Sequence, residues 1–302
     1  MTEQAAQAAE ESSLARMITI FDVTPAAPGP SGLAMFTGGS DGGGGRNVVD
    51  GSQVLAQSIV AAGKALPGRT ARTAHCLFVG VTRPGKPIEF TVEVVRAGRS
   101  FASAVVTAIQ DGRACVTTTV LLDLPQPDVV RHDRAAREAE AGPDDAFPAG
   151  NLPLAGREVR IAGMRDVNDP DEAGPPALDA WLRYTPAPER DDLRRALLAH
   201  FTGHLSISTT FRAHAGIGTS QAHHTVLTAP MGIGITFHEP VAWDGWIRYH
   251  HESTYAGAGM SYVRGQVLTA DGRLMASFTQ DAMIKGFDAG GTESRIPPES
   301  RL

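Results

Sequence analysis

Apolar and polar residues alternate over most of the chain, and this alternation predicts antiparallel β-strands. Over residues 88–95, for example, an aliphatic or aromatic residue occupies every second position, with glutamate or threonine between them. A period of two is typical of a strand with one buried face. Runs of this kind predict strands over 17–23, 74–81, 88–95, 101–109, 114–122, 158–161, 180–184, 223–228, 233–237, 246–255, 261–269 and 274–284.

Two segments have the helical period instead, and each precedes a set of strands. Residues 49–62 predict a helix that begins with Asp50 or Ser52 as its cap. Residues 191–204 predict a second helix, with apolar residues and two histidines along one face. Each half of the chain is therefore one long helix followed by strands that can wrap around it, which predicts an α+β protein of two similar units.

The sequence Asp-Gly-Arg is found twice, at 111–113 and 271–273, each time between two alternating runs. Asp-Gly in this position favours a β-hairpin, because glycine tolerates the positive φ of the turn. The duplicated hairpin indicates a duplicated domain. In this register Gln280 aligns with Val120, so the two copies differ at one position of the inward face.

Composition narrows the class of protein. A net charge of −6 offers no concentrated basic surface for nucleic acid, and no apolar run approaches the ~20 residues that span a bilayer. The two cysteines, Cys76 and Cys115, lie in strand-like runs and are expected to be buried thiols in a reducing compartment. A cytoplasmic location follows as a prediction.

The order of these elements and several short motifs resemble the type II acyl-CoA thioesterase family, whose members contain two fused hotdog domains. The motifs are DGSQVLAQ at 50–57, RPG at 83–85, SFAS at 100–103, AIQDG at 108–112, DAWLR at 179–183, DDLR at 191–194, FH at 237–238, YVRG at 262–265, and DG at 271–272 with ASFTQ at 276–280. The resemblance implies a double hotdog with a flexible tail (1–16), an N-terminal hotdog (17–125), a linker (126–155), a C-terminal hotdog (156–287) and a second tail (288–302).

The resemblance also implies hydrolysis of an acyl thioester, carried by CoA or a carrier protein, with an activated water and no metal or other cofactor. It implies three residues that hold the water. The glutamine falls on Gln280, but the aspartate falls on His204 and the threonine on Pro230, which has no hydroxyl. Thr228, two residues upstream on the same strand face, replaces Pro230 if the register slips by two.

Gln280 is unusual irrespective of the family. It is the polar member of an otherwise apolar strand face, where an amide must find partners or cost about 1–3 kcal/mol. A structural alternative is a glutamine bonded to a backbone carbonyl at an edge or bulge.

His204 has two candidate roles. It can act as the catalytic base, because a neutral imidazole accepts a proton near neutral pH. Alternatively, it is a structural residue at the helix end that donates a hydrogen bond to a carbonyl. His200 and His204 have a spacing that can hold a metal, but no third ligand is evident from the sequence, which argues against a metal. The pairs His223-His224 and His250-His251 are expected to be solvated.

Cationic residues are candidates to bind the phosphates of CoA. Arg83 and Arg264 are the main ones, with Lys86 and Arg99 as further candidates. The glycine-rich run 38–45 lacks the Lys-Ser/Thr ending of a phosphate-binding loop and is expected to be a flexible loop.

Three functions remain open at this point. The first is hydrolysis of an acyl thioester. The second is a dehydratase or isomerase reaction with His204 as the base, and the third is non-catalytic binding of acyl thioesters. A homo-oligomer is a further prediction, since such domains can pair through sheet edges or faces.

Overall fold

The computed structural model describes residues 13–29, 32–42, 47–150 and 152–286. Its helices are α1 (Leu14–Phe21), α2 (Gly51–Ala65), α3 (Asp191–Phe201), α4 (Ser206–Phe211) and a short 3₁₀ helix (Thr219–Gln221). Its strands are β1 (Thr24–Pro25), β2 (Ala34–Gly38), β3 (Thr70–Phe78), β4 (Ile88–Ala97), β5 (Phe101–Gln110), β6 (Arg113–Asp123), β7 (Phe147–Pro148), β8 (Arg157–Ala162), β9 (Ala177–Tyr184), β10 (Val226–Phe237), β11 (Ile247–Gly257), β12 (Met260–Thr269) and β13 (Leu274–Gly286).

All strands of the described residues join in one antiparallel sheet that runs through both halves of the chain. The strand order is β1-β2-β4-β5-β6-β3-β10-β13-β12-β11-β9-β8-β7. The halves meet where β3 pairs with β10, with Cys76 opposite Ile233. Each half places its last strand, β6 or β13, between two other strands of the same half.

The two long helices pack side by side and run in opposite directions. The start of α2 lies near the end of α3, and Gly63 near the end of α2 approaches Asp192 at the start of α3. Helix α2 is buried against β3 to β6, and its residues from Ser52 to Ala62 have almost no solvent exposure. Two helices covered by one curved sheet agree with the predicted α+β architecture.

The duplicated hairpins are present. Gln110 pairs with Arg113 across the first turn, where both Asp111 and Gly112 have positive φ. The second turn differs, because of its two central residues only Gly272 has positive φ and the Asp271 carboxylate accepts a hydrogen bond from Thr269. Val120 is buried on β6 at the position that Gln280 occupies on β13.

The predicted strand over 17–23 is wrong, because residues 14–21 form helix α1. Ser13 caps this helix by accepting a hydrogen bond from Arg16 N at 3.2 Å, and Leu14 and Phe21 are buried in the core. The apolar positions 14, 17, 18 and 21 have helical spacing, which the shorter alternating pattern concealed. Residues 13–16, predicted as part of the tail, therefore belong to a capped helix.

Two further boundaries differ from prediction. The predicted strands 223–228 and 233–237 are one strand, β10, interrupted by a bulge between Pro230 and Gly232. The predicted helix 191–204 ends at Phe201, and the left-handed residue Leu205 leads into α4.

Some predictions fall outside the described residues. The remainder of the N-terminal tail, the whole C-terminal tail and residues 43–45 of the glycine-rich run lie there. In the part of that run that is described, Gly39 O accepts hydrogen bonds from the Gln53 and Gln57 side chains. Of the predicted linker 126–155, only β7 pairs as a strand among the described residues. Within the described chain, no helix has the length and apolar character needed to cross a membrane.

Candidate active site

The start of α2 and the end of α3 bring a carboxylate and an imidazole together. Asp50 caps α2: its Oδ1 accepts hydrogen bonds from Ser52 N at 3.1 Å and Ser52 Oγ at 2.9 Å. Its second oxygen, Oδ2, lies 3.9 Å from His204 Nε2. The two halves of the chain thus contribute one residue each to this pair.

The orientation of His204 is set by its neighbours. Its Nδ1 is 3.3 Å from the carbonyl oxygen of His200, and a carbonyl can only accept, so Nδ1 carries the proton of a neutral ring. The ring stacks on Phe201 with centroids 5.1 Å apart. Nε2, the basic nitrogen of that tautomer, therefore faces Asp50.

His200 of α3 is the third titratable residue beside Asp50 and His204. Burial lowers the pKa of His200 to about 3, with a smaller contribution from His204, so this ring is neutral at pH 7. Its Nδ1 is buried and has no hydrogen-bond partner among the described residues. Burial works to raise the pKa of Asp50, but the neighbouring imidazoles and the Ser52 hydrogen bonds outweigh it and hold that pKa below its usual value.

Gln280 lies on the inward face of β13, beside Ile233 of β10 and Val263 of β12. Its side chain is 1% exposed, and Oε1 has no hydrogen-bond partner among the residues that the structure describes. The structural alternative, a bond to a backbone carbonyl, would use the amide nitrogen and stays open. Oε1 is available for a ligand or water, since leaving it unsatisfied costs about 1–3 kcal/mol.

His251, which was expected to be solvated, is buried on the same inward face. It has no exposure, and its ring lies against the backbone of Tyr249 and His204 without a well-formed hydrogen bond in the described part of the chain. Burial lowers the pKa of His251 to about 4, so this ring is also neutral at pH 7. The sequence pattern was ambiguous because His250 and His251 alternate across the faces; His250 bonds Asp179 instead.

Packing contacts connect the Asp50, His200 and His204 cluster with the inward face of the sheet that carries Gln280 and His251. The His251 ring packs on Phe278 with centroids 5.0 Å apart, and Phe278 precedes Gln280 by two positions on the same strand face. Gly203, next to His204, is packed so closely that a side chain there would collide with Ser52 and touch Ile233. The turn that carries His204 therefore packs against Ser52 of α2 and against Ile233, which is the β10 partner of Gln280.

The predicted register slip that would bring Thr228 to Gln280 is not present. Thr228 lies opposite Ile284, four positions beyond Gln280, which is about 13 Å along the strand. Its hydroxyl is 3.5 Å from His223 Nε2, and Pro230 lies opposite Ala282. The structure thus brings Thr228 to the inward face but not to the site.

The two predicted phosphate-binding arginines have different positions. Arg83 follows Thr82, whose carbonyl accepts a hydrogen bond from Val49 N, so Arg83 is near the start of α2 and Asp50. Arg264 points to the opposite face of the sheet from Gln280, because it follows Val263 on β12. There it forms a bidentate ion pair with the Glu252 carboxylate.

Two open clefts lie elsewhere in the described structure. One, of about 440 Å³, is lined by Thr19, Asp22, Thr24, Thr37, Gly38, Gly39, Ser40, Gly85, Lys86 and Pro87. The other, of about 240 Å³, lies between the end of α2 and the start of α3. Neither is lined by Gln280 or His204, so the buried polar atoms without partners locate the candidate site better than cleft volume does.

Sequence reasoning missed two residues of this site. Asp50 was recognised only as a helix cap, and its pairing with His204 depends on the antiparallel packing of α2 and α3. His251 carried a weak signal, since the two histidines of a pair alternate across the strand faces and only one of them could point inward, but the sequence did not say which.

Comparisons with known proteins agree with this architecture. A family model described as the acyl-CoA thioesterase N-terminal domain matches residues 42–122, and one described as the C-terminal domain matches residues 132–284. The mouse protein acyl-coenzyme A thioesterase 8 is 25% identical over 264 residues, covering 78% of this chain and 79% of its own.

Solved structures confirm the double-hotdog fold. A TesB protein of Mycobacterium avium subsp. paratuberculosis superposes with a TM-score of 0.75 at 19% identity, covering 90% of this chain and 99% of its own. A conserved protein with a hot dog fold from Alicyclobacillus acidocaldarius gives 0.72 at 18% identity, covering 90% and 98%. Because the two matched family models together cover more than half of its length, the chain belongs to the type II acyl-CoA thioesterase family.

Proposed function

We propose that the protein hydrolyses acyl-CoA thioesters with a water molecule held between Asp50 and His204. The observation that carries the proposal is the 3.9 Å separation of Asp50 Oδ2 and His204 Nε2, with His204 Nδ1 directed at a carbonyl. One water within hydrogen-bond reach of both atoms fits that separation. The pair takes the place of the aspartate that the family resemblance led us to expect at position 204.

The chemical step uses His204 as the base. As the water oxygen bonds to the thioester carbonyl carbon, Nε2 takes a water proton, and the negative charge of Asp50 stabilises the imidazolium. The tetrahedral intermediate then expels the thiolate as the C–S bond breaks. His204 returns its proton to the thiolate, which gives a carboxylic acid and free CoA.

Gln280 contributes a second contact to the reacting water, whose two hydrogens are directed at His204 Nε2 and at Gln280 Oε1, while Asp50 acts through its charge. Its Oε1 is an unused acceptor on the buried side of the turn that carries His204. An acceptor fixed by the strand and opposite the base orients the water lone pair toward the carbonyl carbon, and such positioning lowers the entropic cost of the step. Thr228 has no part in this scheme.

Arg83 is the stronger candidate for the CoA phosphates. It is near Asp50, and the loop that carries it is fixed by two hydrogen bonds between Gln110 and the Arg83 backbone. Arg264 is already paired with Glu252 and points away from Gln280. A cytoplasmic location and a homo-oligomeric assembly stay predictions, which cell fractionation and sedimentation would test.

The experiment offers a panel of acyl-CoAs and detects free CoA with a thiol reagent. We expect H204Q and D50N to lower kcat by about 100-fold or more, because a positioned base contributes 10²–10⁴-fold. His224, which is exposed, supplies the matched control H224A with unchanged turnover. Wild-type rates in H204Q would show that the base is elsewhere.

A second function is favoured by the same pair. An imidazole beside a carboxylate can also move a proton next to a thioester carbonyl, as a dehydratase or isomerase requires. Hydration or isomerisation of an enoyl-CoA without release of CoA would support that reaction. Binding of acyl-CoA with neither reaction would support the third alternative, a non-catalytic binder.

A further inference from the structure

We propose that Asp50, His200 and His204 form a binding site for one divalent transition-metal ion of the zinc class. One potential ligand atom from each residue lies within 4.8 Å of the other two. Zinc binds imidazole nitrogens and carboxylate oxygens at about 2.0–2.2 Å. The three ligand atoms must therefore move closer to one another than they lie in this structure. Small side-chain rotations supply that contraction.

Two of the three ligands are held by neighbours in the manner of metal sites. Asp50 Oδ1 is fixed by Ser52, which leaves Oδ2 for the ion. His204 Nδ1 is directed at the carbonyl of His200, and Nε2 is on the side of the ring that faces Asp50. Metal-ligating histidines usually donate their second ring nitrogen to a carbonyl or carboxylate in this way.

The third residue supplies an independent observation. His200 is 7% exposed, and its Nδ1 has no hydrogen-bond partner in the described structure. Leaving a buried imidazole nitrogen without a partner costs about 1–3 kcal/mol of folding free energy. The space between this ring, the second imidazole and the carboxylate is therefore a favourable place for a ligand. A metal ion satisfies all three groups at once.

The chemistry of the ligands selects the class of ion. Two imidazoles and one carboxylate suit zinc and its neighbours, whereas magnesium and calcium prefer oxygen ligands throughout. Three protein ligands leave at least one coordination position for water or substrate. The sequence offered no third ligand because Asp50 belongs to the other half of the chain.

This site goes beyond the proposed hydrolysis, and because it uses Asp50 and His204 it competes with that reaction. His204 Nε2 cannot both coordinate an ion and accept a proton, so base catalysis belongs to the metal-free protein. Hydrolysis measured in excess chelator therefore tests the proposed function alone, while direct binding measurements test the metal site alone.

The test titrates chelator-treated full-length protein with Zn²⁺ by calorimetry and with Co²⁺ by visible absorption. We expect one ion per chain and ligand-field bands typical of nitrogen and oxygen ligands. D50N should weaken Zn²⁺ binding by about tenfold or more, because even loss of an outer-sphere partner costs 10–100-fold. Asparagine remains a good helix cap, so this variant keeps its fold, and for that reason Asp50 is changed and not the buried His200.

H204Q should weaken binding to a similar extent, and H224A should bind as the wild type does. Circular dichroism checks that each variant is folded. Absence of binding at micromolar Zn²⁺ in the wild type, or wild-type affinity in folded D50N and folded H204Q, would overturn the proposal.

Discussion

At the scale of single residues, Gln280 is a buried amide whose oxygen has no partner, at a position where the first half has a valine. A residue selected for stability would not leave Oε1 unsatisfied. We expect Q280M, which keeps the shape and removes the polar atoms, to raise the free energy of unfolding by about 1–3 kcal/mol. The same change should lower thioester hydrolysis substantially, because the contact to the water is lost.

The matched control is the reverse change in the first half. V120Q places the amide at the equivalent position of β6, where the core is apolar, and should lower stability by about 1–3 kcal/mol without altering the site. Urea denaturation measures both variants. A destabilised Q280M would mean that the amide has a structural partner.

The sequence located part of this site for clear physical reasons. Gln280 and His204 stand out because a polar residue on an apolar face or a histidine in place of a carboxylate is visible in one strand or helix. Asp50 and His251 could not be assigned, since their roles depend on packing between elements distant in the chain. Thr228 was misassigned because a bulge between Pro230 and Gly232 sets the register of β10, and a bulge leaves little trace in the hydrophobic pattern.

At the scale of elements, long periodic segments were predictable and short ones were not. The strands of both hairpins and helix α2 follow from patterns of eight or more residues. Helix α1 has only eight residues, and its Met-Ile-Thr-Ile-Phe stretch fits a strand equally well. Its burial against the long helices decides the outcome, which is a tertiary effect.

An ion cluster joins β9 to β11 and gives a prediction about pH. Asp179 Oδ1 accepts from Arg248 Nε at 2.8 Å and from His250 Nδ1 at 3.0 Å. Burial works to raise the pKa of Asp179, but these partners outweigh it and lower that pKa below 3.8. The cluster therefore stabilises the folded state above pH 3.8, and this contribution is lost as the pH falls through the lower folded-state pKa.

We expect D179N to be destabilised by about 3 kcal/mol at pH 7, because Arg248 is left buried without its carboxylate. The difference from wild type should be smaller at pH 3 than at pH 7 or pH 5, because the carboxylate takes up a proton below pH 3.8. Urea denaturation at the three pH values measures it. A difference that is the same at pH 3 as at pH 7 would assign the effect to packing and not to charge.

At the scale of the whole molecule, the two halves share one sheet and one helix pair. Arg195 of α3 crosses this junction: its side chain pairs with Asp191 at 2.6 Å and donates to Ala71 O of β3 at 3.1 Å. Its guanidinium also lies over the Phe237 ring, 4.9 Å from the centroid. Because the junction contains both backbone pairing and buried side chains, we expect the halves to unfold together.

Calorimetry of the full chain should therefore give one transition. R195A should lower Tm by roughly 4 °C, equivalent to about 2 kcal/mol of lost charged hydrogen bonds, while the transition stays single. The matched control is R183A, since Arg183 pairs with Glu158 at an exposed position within the second half and should change stability by less than about 1 kcal/mol. Two separate transitions in the wild type, with only one shifted by R195A, would mean that each half is stable alone; in that case the Asp50–His204 pair would open whenever the halves part.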